Sequence, residues 1–188
     1  MLVALGTLAI QQSKPNEYLW NDITWFLNYA ASHPDAKIGF SASDMILHIA
    51  SNGSYLSESK SRIRVGGIFY LSSKLPQHNQ APDCSHRFNA PFHVVAKILK
   101  MITISVMETE VAATFHNAKE ALPFIVTRAE MGHPQPPTPM EVDNETAIGF
   151  LKSTMKQKSS KSIDMRFYWV RDRVNHNQFM IYCRPGEN

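Results

Sequence analysis

The sequence predicts an α/β fold, a mixed sheet with helices on its faces. Three observations predict it. Three β-forming runs follow one another between residues 45 and 99, an amphipathic helical pattern comes directly after them, and two more strand patterns, near 140 and 180, are set off by helical spacing. With 188 residues, 44% of them apolar and 19% charged, the chain suits one domain with a sizeable core and a short appendage. No apolar run approaches the roughly 18 residues that cross a bilayer, so no membrane partner is expected. The 2 cysteines, Cys84 and Cys183, make no disulfide framework and fit a reducing, intracellular compartment, cytoplasm or nucleus. A net charge of +3 permits contact with nucleic acid without requiring it.

The opening MLVALGTLAI is apolar but lacks a basic flank and soon gives way to QQSKPNE, which reads as structure and not as a targeting segment. In YLWNDITWFLNYAA, residues 18–31, Leu19, Ile23, Phe26, Leu27 and Ala30 recur at helical spacing, and the helix closes before Pro34. Residues 1–43 are therefore a lead-in, and 44–188 the main domain. MILHIAS and VGGIFYLS are strands joined by the polar link SESKSRIR, a hairpin. SKLPQHNQAPDCSHRFNAP is a loop by composition, and FHVVAKIL is a third strand. A helix follows over about 106–119, with Met107, Val111, Phe115 and Ala118 on one face. Pro123 breaks or restarts it, and a second helical stretch runs to Met131 with Gly132 as its cap. HPQPPTP is a stiff connector into a strand at 140–143. A short helix from Asn144, the polar link KQKSSKS, a helix over 163–174 and the strand QFMIYCR complete the order βββ-α-β-α-α-β.

A carboxylate at a strand tip is costly to desolvate, so Asp143, closing PMEVD, needs a reason. Either Asp143 or Asn144 caps the next helix, or Asp143 is a metal ligand carried into a cleft. The glutamates of SVMETEVAA separate on physical grounds. Ser105 and Glu108 have capping-box spacing, which commits Glu108 to the helix start. Glu110 lies about 200° further around the helix and is not used by the cap. It is either a surface glutamate or a group pointing into a cleft over the sheet.

Four stretches occur in order: SNGSYLSESKSR, HVVAKILK with METEVAA, PPTPMEVDNETAIGF, and KSIDMRFYWVRDRV. Together they resemble the ribonuclease H domain of copia-type retrotransposon polyproteins over about residues 44–188, and the N-terminal residues resemble the segment that connects reverse transcriptase to that domain. The resemblance implies a ribonuclease H-like fold, a five-stranded mixed sheet opening with three antiparallel strands. It implies a Mg²⁺-dependent endonuclease that cuts the RNA strand of RNA–DNA hybrids, four carboxylates holding two ions, and an ancestral covalent link to reverse transcriptase. It makes Glu110 the first-helix metal ligand and Asp143 the acid of the family's Asp-Asn pair at the fourth strand's tip.

Two departures from the family pattern imply a degenerate site. In SNGSY, Asn52 stands where the family's first strand carries aspartate; an amide oxygen can touch Mg²⁺ but brings no charge. Asp44 lies on the order of 26 Å back along an extended strand and cannot substitute. The family's last carboxylate sits in an Ala-Asp dipeptide opening a C-terminal helix, whereas the sequence ends at RPGEN, and Glu187 does not match that position. The expectation is catalysis through Glu110 and Asp143 with Asn52 in the degenerate place, and Mg²⁺ weak or lost. At ~3 kcal/mol per missing ligand the rate falls on the order of 10⁴. The competing expectation is a non-catalytic nucleic-acid-binding or inert fragment.

Lys152, Lys156, Lys158 and Lys161, followed by Arg166, Arg171 and Arg173, are either phosphate contacts beside the hybrid path or a solvated basic face. Asp164, in SIDMR, reads as structural or as a support for the ligands, with a direct role as the lesser alternative. Gly66 and Gly67 permit a bulge or a close approach. Cys84, His78 and His86 lack a second cysteine pair and read as loop, not as a zinc site.

Overall fold

The structure, a computed structural model, describes residues 1–74, 89–152 and 165–183. The chain divides into two compact units, Met1–Gly39 and Phe40–Asn188. The first holds helices α1 (Leu2–Gln11) and α2 (Glu17–Ala31). Asn16 caps α2 by accepting the Leu19 N–H at 2.8 Å, and Leu19 is its buried residue. Leu27, expected on the inward stripe, is exposed.

The second unit is built on β1 (Ile46–Glu58), β2 (Arg62–Ser72), β3 (Pro91–Leu99), α3 (Val106–Glu130), β4 (Thr138–Val142), α4 (Glu145–Leu151), α5 (Met165–Asn175) and β5 (Phe179–Tyr182). The sheet order is β3-β2-β1-β4-β5. β1, β2 and β3 pair antiparallel in sequence, while β4 adds parallel to β1 and β5 parallel to β4. The five-stranded mixed sheet predicted from the strand order is thus present. Leu47, Ile49, Phe69, Met140, Val142, Phe179 and Ile181 alternate onto one face and pack against Val111 and Ala118 of α3, Ile148 and Leu151 of α4, and Phe167 and Val170 of α5.

Two elements differ most from the sequence reading. β1 is longer than the run MILHIAS, because SNGSY continues the ladder through Ser54↔Arg64 before a register shift ahead of Glu58. Backbone pairing, not side-chain hydrophobicity, sustains that polar half. The second concerns Pro123, which neither breaks nor restarts α3; a single helix runs through it to Glu130. The proline forfeits one helical N–H, but the turns around it are held by packing. Ala121 is buried, Leu122 and Ile125 join the core, and the Phe124 ring meets Phe69 and Phe92 edge-on. The helix ends as its glycine predicts. Gly132 has φ +83°, its N–H reaches the Ala129 carbonyl, and the His133 N–H reaches that of Arg128, a Schellman closure.

Candidate active site

Three elements bring the predicted acids together, and their placement starts from two glycines of the sheet. A Cβ on Gly53 of β1 would lie 2.8 Å from the Thr109 carbonyl oxygen of α3. One on Gly67 of β2 would lie 2.1 Å from Asn117 Oδ1. Helix α3 therefore lies directly on the sheet at these points, as only glycine allows. The close approach that Gly66–Gly67 suggested is made at Gly67, by a residue the sequence reading did not single out. Asn117 is fully buried and donates through Nδ2 to Ser51 Oγ and to the Gly66 carbonyl, each at 2.8 Å.

Glu110 is 2% exposed, which removes the surface reading of this residue. Its Oε1 accepts the Gly53 N–H at 3.0 Å, and its Oε2 is buried with no hydrogen-bond partner among the described residues. Glu108 is the cap instead. Its N–H donates to Ser105 Oγ at 3.1 Å, and its carboxylate accepts the Ile104 N–H at 2.8 Å, one residue earlier than a capping box prescribes. Glu110 and Asn117 thus grip Gly53 and Ser51, the two neighbours of Asn52, while Gly66 is the cross-strand partner of Asn52 itself. Position 52 is held from three sides.

Asp143 follows the last residue of β4 and is exposed, so the strand ends one residue earlier than expected. It does not cap α4. Asn144 does, accepting the Ala147 N–H at 2.9 Å, which leaves the Asp143 carboxylate uncommitted to the helix start. The parallel ladder ends at Ser51↔Val142, the residues that directly precede Asn52 and Asp143. Asp44 lies at the other end of β1, accepting the Lys74 N–H at 3.3 Å.

Burial pushes the Glu110 carboxyl from 4.5 up to about 7; the Gly53 N–H opposes this and the Asp143 charge adds to it. The two carboxylates therefore sit within electrostatic reach. A carboxyl raised in the folded state binds its proton more tightly when folded, so the cost of ionising it is absent below about pH 4.5 and complete above about 7. Stability should accordingly fall between those limits, on the order of 3 kcal/mol from this group. Glu110→Gln keeps an oxygen for the Gly53 N–H and should remove that slope, leaving the variant more stable than the parent at pH 8. Urea unfolding at pH 5 and pH 8 measures it; parallel slopes in the two proteins would refute the assignment.

Among the lysines, Lys152 is exposed just past α4, whereas Lys156, Lys158 and Lys161 lie outside the described residues, as do Asp164, Glu187, Cys84, His78 and His86. Arg171 and Arg173 lie over the Phe167 and Trp169 rings. Cys183, beyond β5, is raised by burial and by the charges of Glu145, Asp143 and Glu141, which places it on the acidic side of the site.

No protein-family model matches the chain. In structure it is similar to LC11-RNase H1, isolated from compost by a metagenomic approach, with a TM-score of 0.52 and 11% identity over 75% of this chain and 85% of that one. The same ribonuclease H1 in complex with an RNA/DNA hybrid gives a TM-score of 0.43 at 9% identity, over 74% of this chain and 85% of that one. The chain has a ribonuclease H-like fold. In sequence it is similar to the retrovirus-related Pol polyprotein from transposon TNT 1-94 of Nicotiana tabacum, 21% identical over 178 residues. That match covers 95% of this chain but only 12% of the polyprotein, so the chain spans a small part of its relative's length. The resemblance to retrotransposon polyproteins holds along nearly the whole sequence.

Proposed function

We propose that this is the ribonuclease H-like domain of a retroelement polyprotein, descended from a Mg²⁺-dependent endonuclease for the RNA strand of RNA–DNA hybrids and impaired in cutting by Asn52. The observation that carries this reading is the Glu110 carboxylate, buried with one oxygen on a backbone N–H and the other unpartnered, beside Asp143. A free carboxylate oxygen next to a second carboxylate is a donor suited to a hard cation. The donor chemistry fits Mg²⁺, with Glu110 and Asp143 as carboxylate ligands and Asn52 offering a neutral oxygen. The donor count does not favour tight binding, since no group of three His, Cys, Asp or Glu is arranged to hold an ion among the described residues. When bound, divalent ions would supply the attacking hydroxide and neutralise charge on the phosphodiester.

A second reading, nucleic-acid binding without cleavage, is favoured by Asn52 specifically, because the amide keeps the shape of the missing ligand and drops its charge. Both readings predict weak metal binding. Mg²⁺ titrated into the chain should bind at about millimolar strength, tighten as pH rises through 7, and lose its binding in Asp143→Asn. Calorimetry with the parent and the variant measures it, and cleavage of a labelled hybrid separates the two readings. Tight binding that survives Asp143→Asn would put the ion elsewhere.

A further inference from the structure

A second set of charged side chains converges on α3, away from the acids. Ala112 and Ala113 of α3 pack on Ile63, Val65 and Leu99 in a small separate core cluster, with Val95 and Met101 at its margin. Lys97 of β3 stands between Val95 and Leu99 and pairs with Val65, so strand alternation brings it out on the α3 side of the sheet. The Arg166 guanidinium, at the start of α5, donates to Met101 Sδ at 3.0 Å. His116 lies one turn beyond Ala112, and the Lys119 ammonium of the same helix is 5.7 Å from the centre of the Phe115 ring. β3 and α5 thus each send a cation to the rim of this cluster, and Lys119, one turn beyond His116, adds a third on the α3 face that carries Ala112 and His116.

We propose that Lys97, Lys119 and Arg166, grouped around His116, form a binding surface for the phosphodiester backbone of a nucleic-acid duplex. The bland account of Lys97 is that a lysine on an edge strand discourages sheet-to-sheet pairing. That explains one residue and not the arrival of cations from two helices at the same place. Neither Lys97 nor Lys119 is ion-paired among the described residues. His116 lies six residues from Glu110, about 9 Å along the helix, which is about three nucleotide steps along a duplex strand. The surface is therefore within one duplex footprint of the candidate site. The inference rests on the proposed nucleic-acid partner but not on cleavage.

His116 gives the surface a signature of its own. Burial lowers its pKa first, then the charges of Lys97, Arg166 and Lys119, with Glu120 alone opposing. A phosphate among these groups reverses the unfavourable field, so the bound state takes up a proton that the free state does not hold. Affinity should then rise as pH falls.

The test is fluorescence anisotropy of a labelled 18-base-pair RNA–DNA hybrid with the full chain, in EDTA so that nothing is cut. The parent should bind with an affinity that drops steeply with salt and rises by up to about tenfold from pH 7.5 to 5.5. The double variant Lys97→Ala/Lys119→Ala should flatten the salt slope by about two and bind at least about tenfold more weakly at low salt, while Lys97→Arg/Lys119→Arg should restore both. His116→Gln should bind as the parent does at pH 7.5 and lose the gain at low pH. An unchanged salt slope in the alanine variant overturns the surface while leaving the nucleic-acid reading intact. Absence of hybrid binding by the parent overturns that reading itself. Competition by poly-glutamate as effective per charge as the hybrid overturns the duplex as occupant.

Discussion

Asn52→Asp should strengthen Mg²⁺ binding by at least about tenfold while giving little hybrid cleavage on its own. On the proposed reading the added carboxylate joins Glu110 and Asp143 just past the end of the β1–β4 ladder, where the Asn52 amide brings no charge. On the proposed two-ion mechanism cleavage needs a fourth acid as well, because two ions clamped by four carboxylates act as a unit whose parts are strongly non-additive. Extending the chain past Asn188 with a family-type helix bearing Ala-Asp should likewise do little by itself. The two changes together should raise cleavage of the RNA strand by about 10³–10⁴. The measurement is a labelled hybrid incubated with each of the four proteins, with Asp143→Asn in the doubly changed chain as the control. A parent that already cuts as fast as the doubly changed chain would show that Asn52 is no defect.

The largest expected effect on stability falls at Gly67. A methyl group there meets Asn117 Oδ1 at 2.1 Å, and the amide cannot yield easily because its nitrogen is tied to Ser51 and Gly66. Gly67→Ala should therefore cost about 2–4 kcal/mol. Asn117→Ala leaves the Ser51 hydroxyl and the Gly66 carbonyl buried without their donor, about 1–3 kcal/mol for each group. The double variant has no clash left to relieve, so its loss should fall short of the sum by at least about 1 kcal/mol. Urea denaturation of the four proteins closes the cycle. Additive losses would mean that α3 is not held through this contact.

Much of this architecture was legible because each signal was local. The strand order followed from runs of β-forming residues and their turns, and the Ser105–Glu108 spacing identified the helix start correctly. Asp143 was legible as an unexplained acid, and Asn144 as the alternative cap for α4; the hydrogen bond to Ala147 separates the two. What was not legible depended on distant partners. Whether Glu110 faced water or the sheet is decided by the backbone of Gly53, 57 residues away in the chain. Asn117 resembles any polar residue on a helix until Gly67 is placed beneath it. The available clue was the Gly-Gly pair inside a strand, which calls for a neighbour without naming it. Pro123 misled because its helix-breaking cost is intrinsic, whereas the aromatic contacts of Phe124 that outweigh it come from β2 and β3.

The Glu110 anchor is a main-chain N–H, and Asn117 holds a neighbour's hydroxyl and a carbonyl on the adjoining strand. None of these contacts consults the side chain at position 52. Selection for folding, acting through Asn117, therefore keeps the backbone around position 52 in place whatever side chain stands there. An asparagine codon differs from an aspartate codon by a single base. On the proposed reading of Asn52, an aspartate there is one point mutation away, and the Asn117 contacts that hold its strand are kept for an unrelated reason.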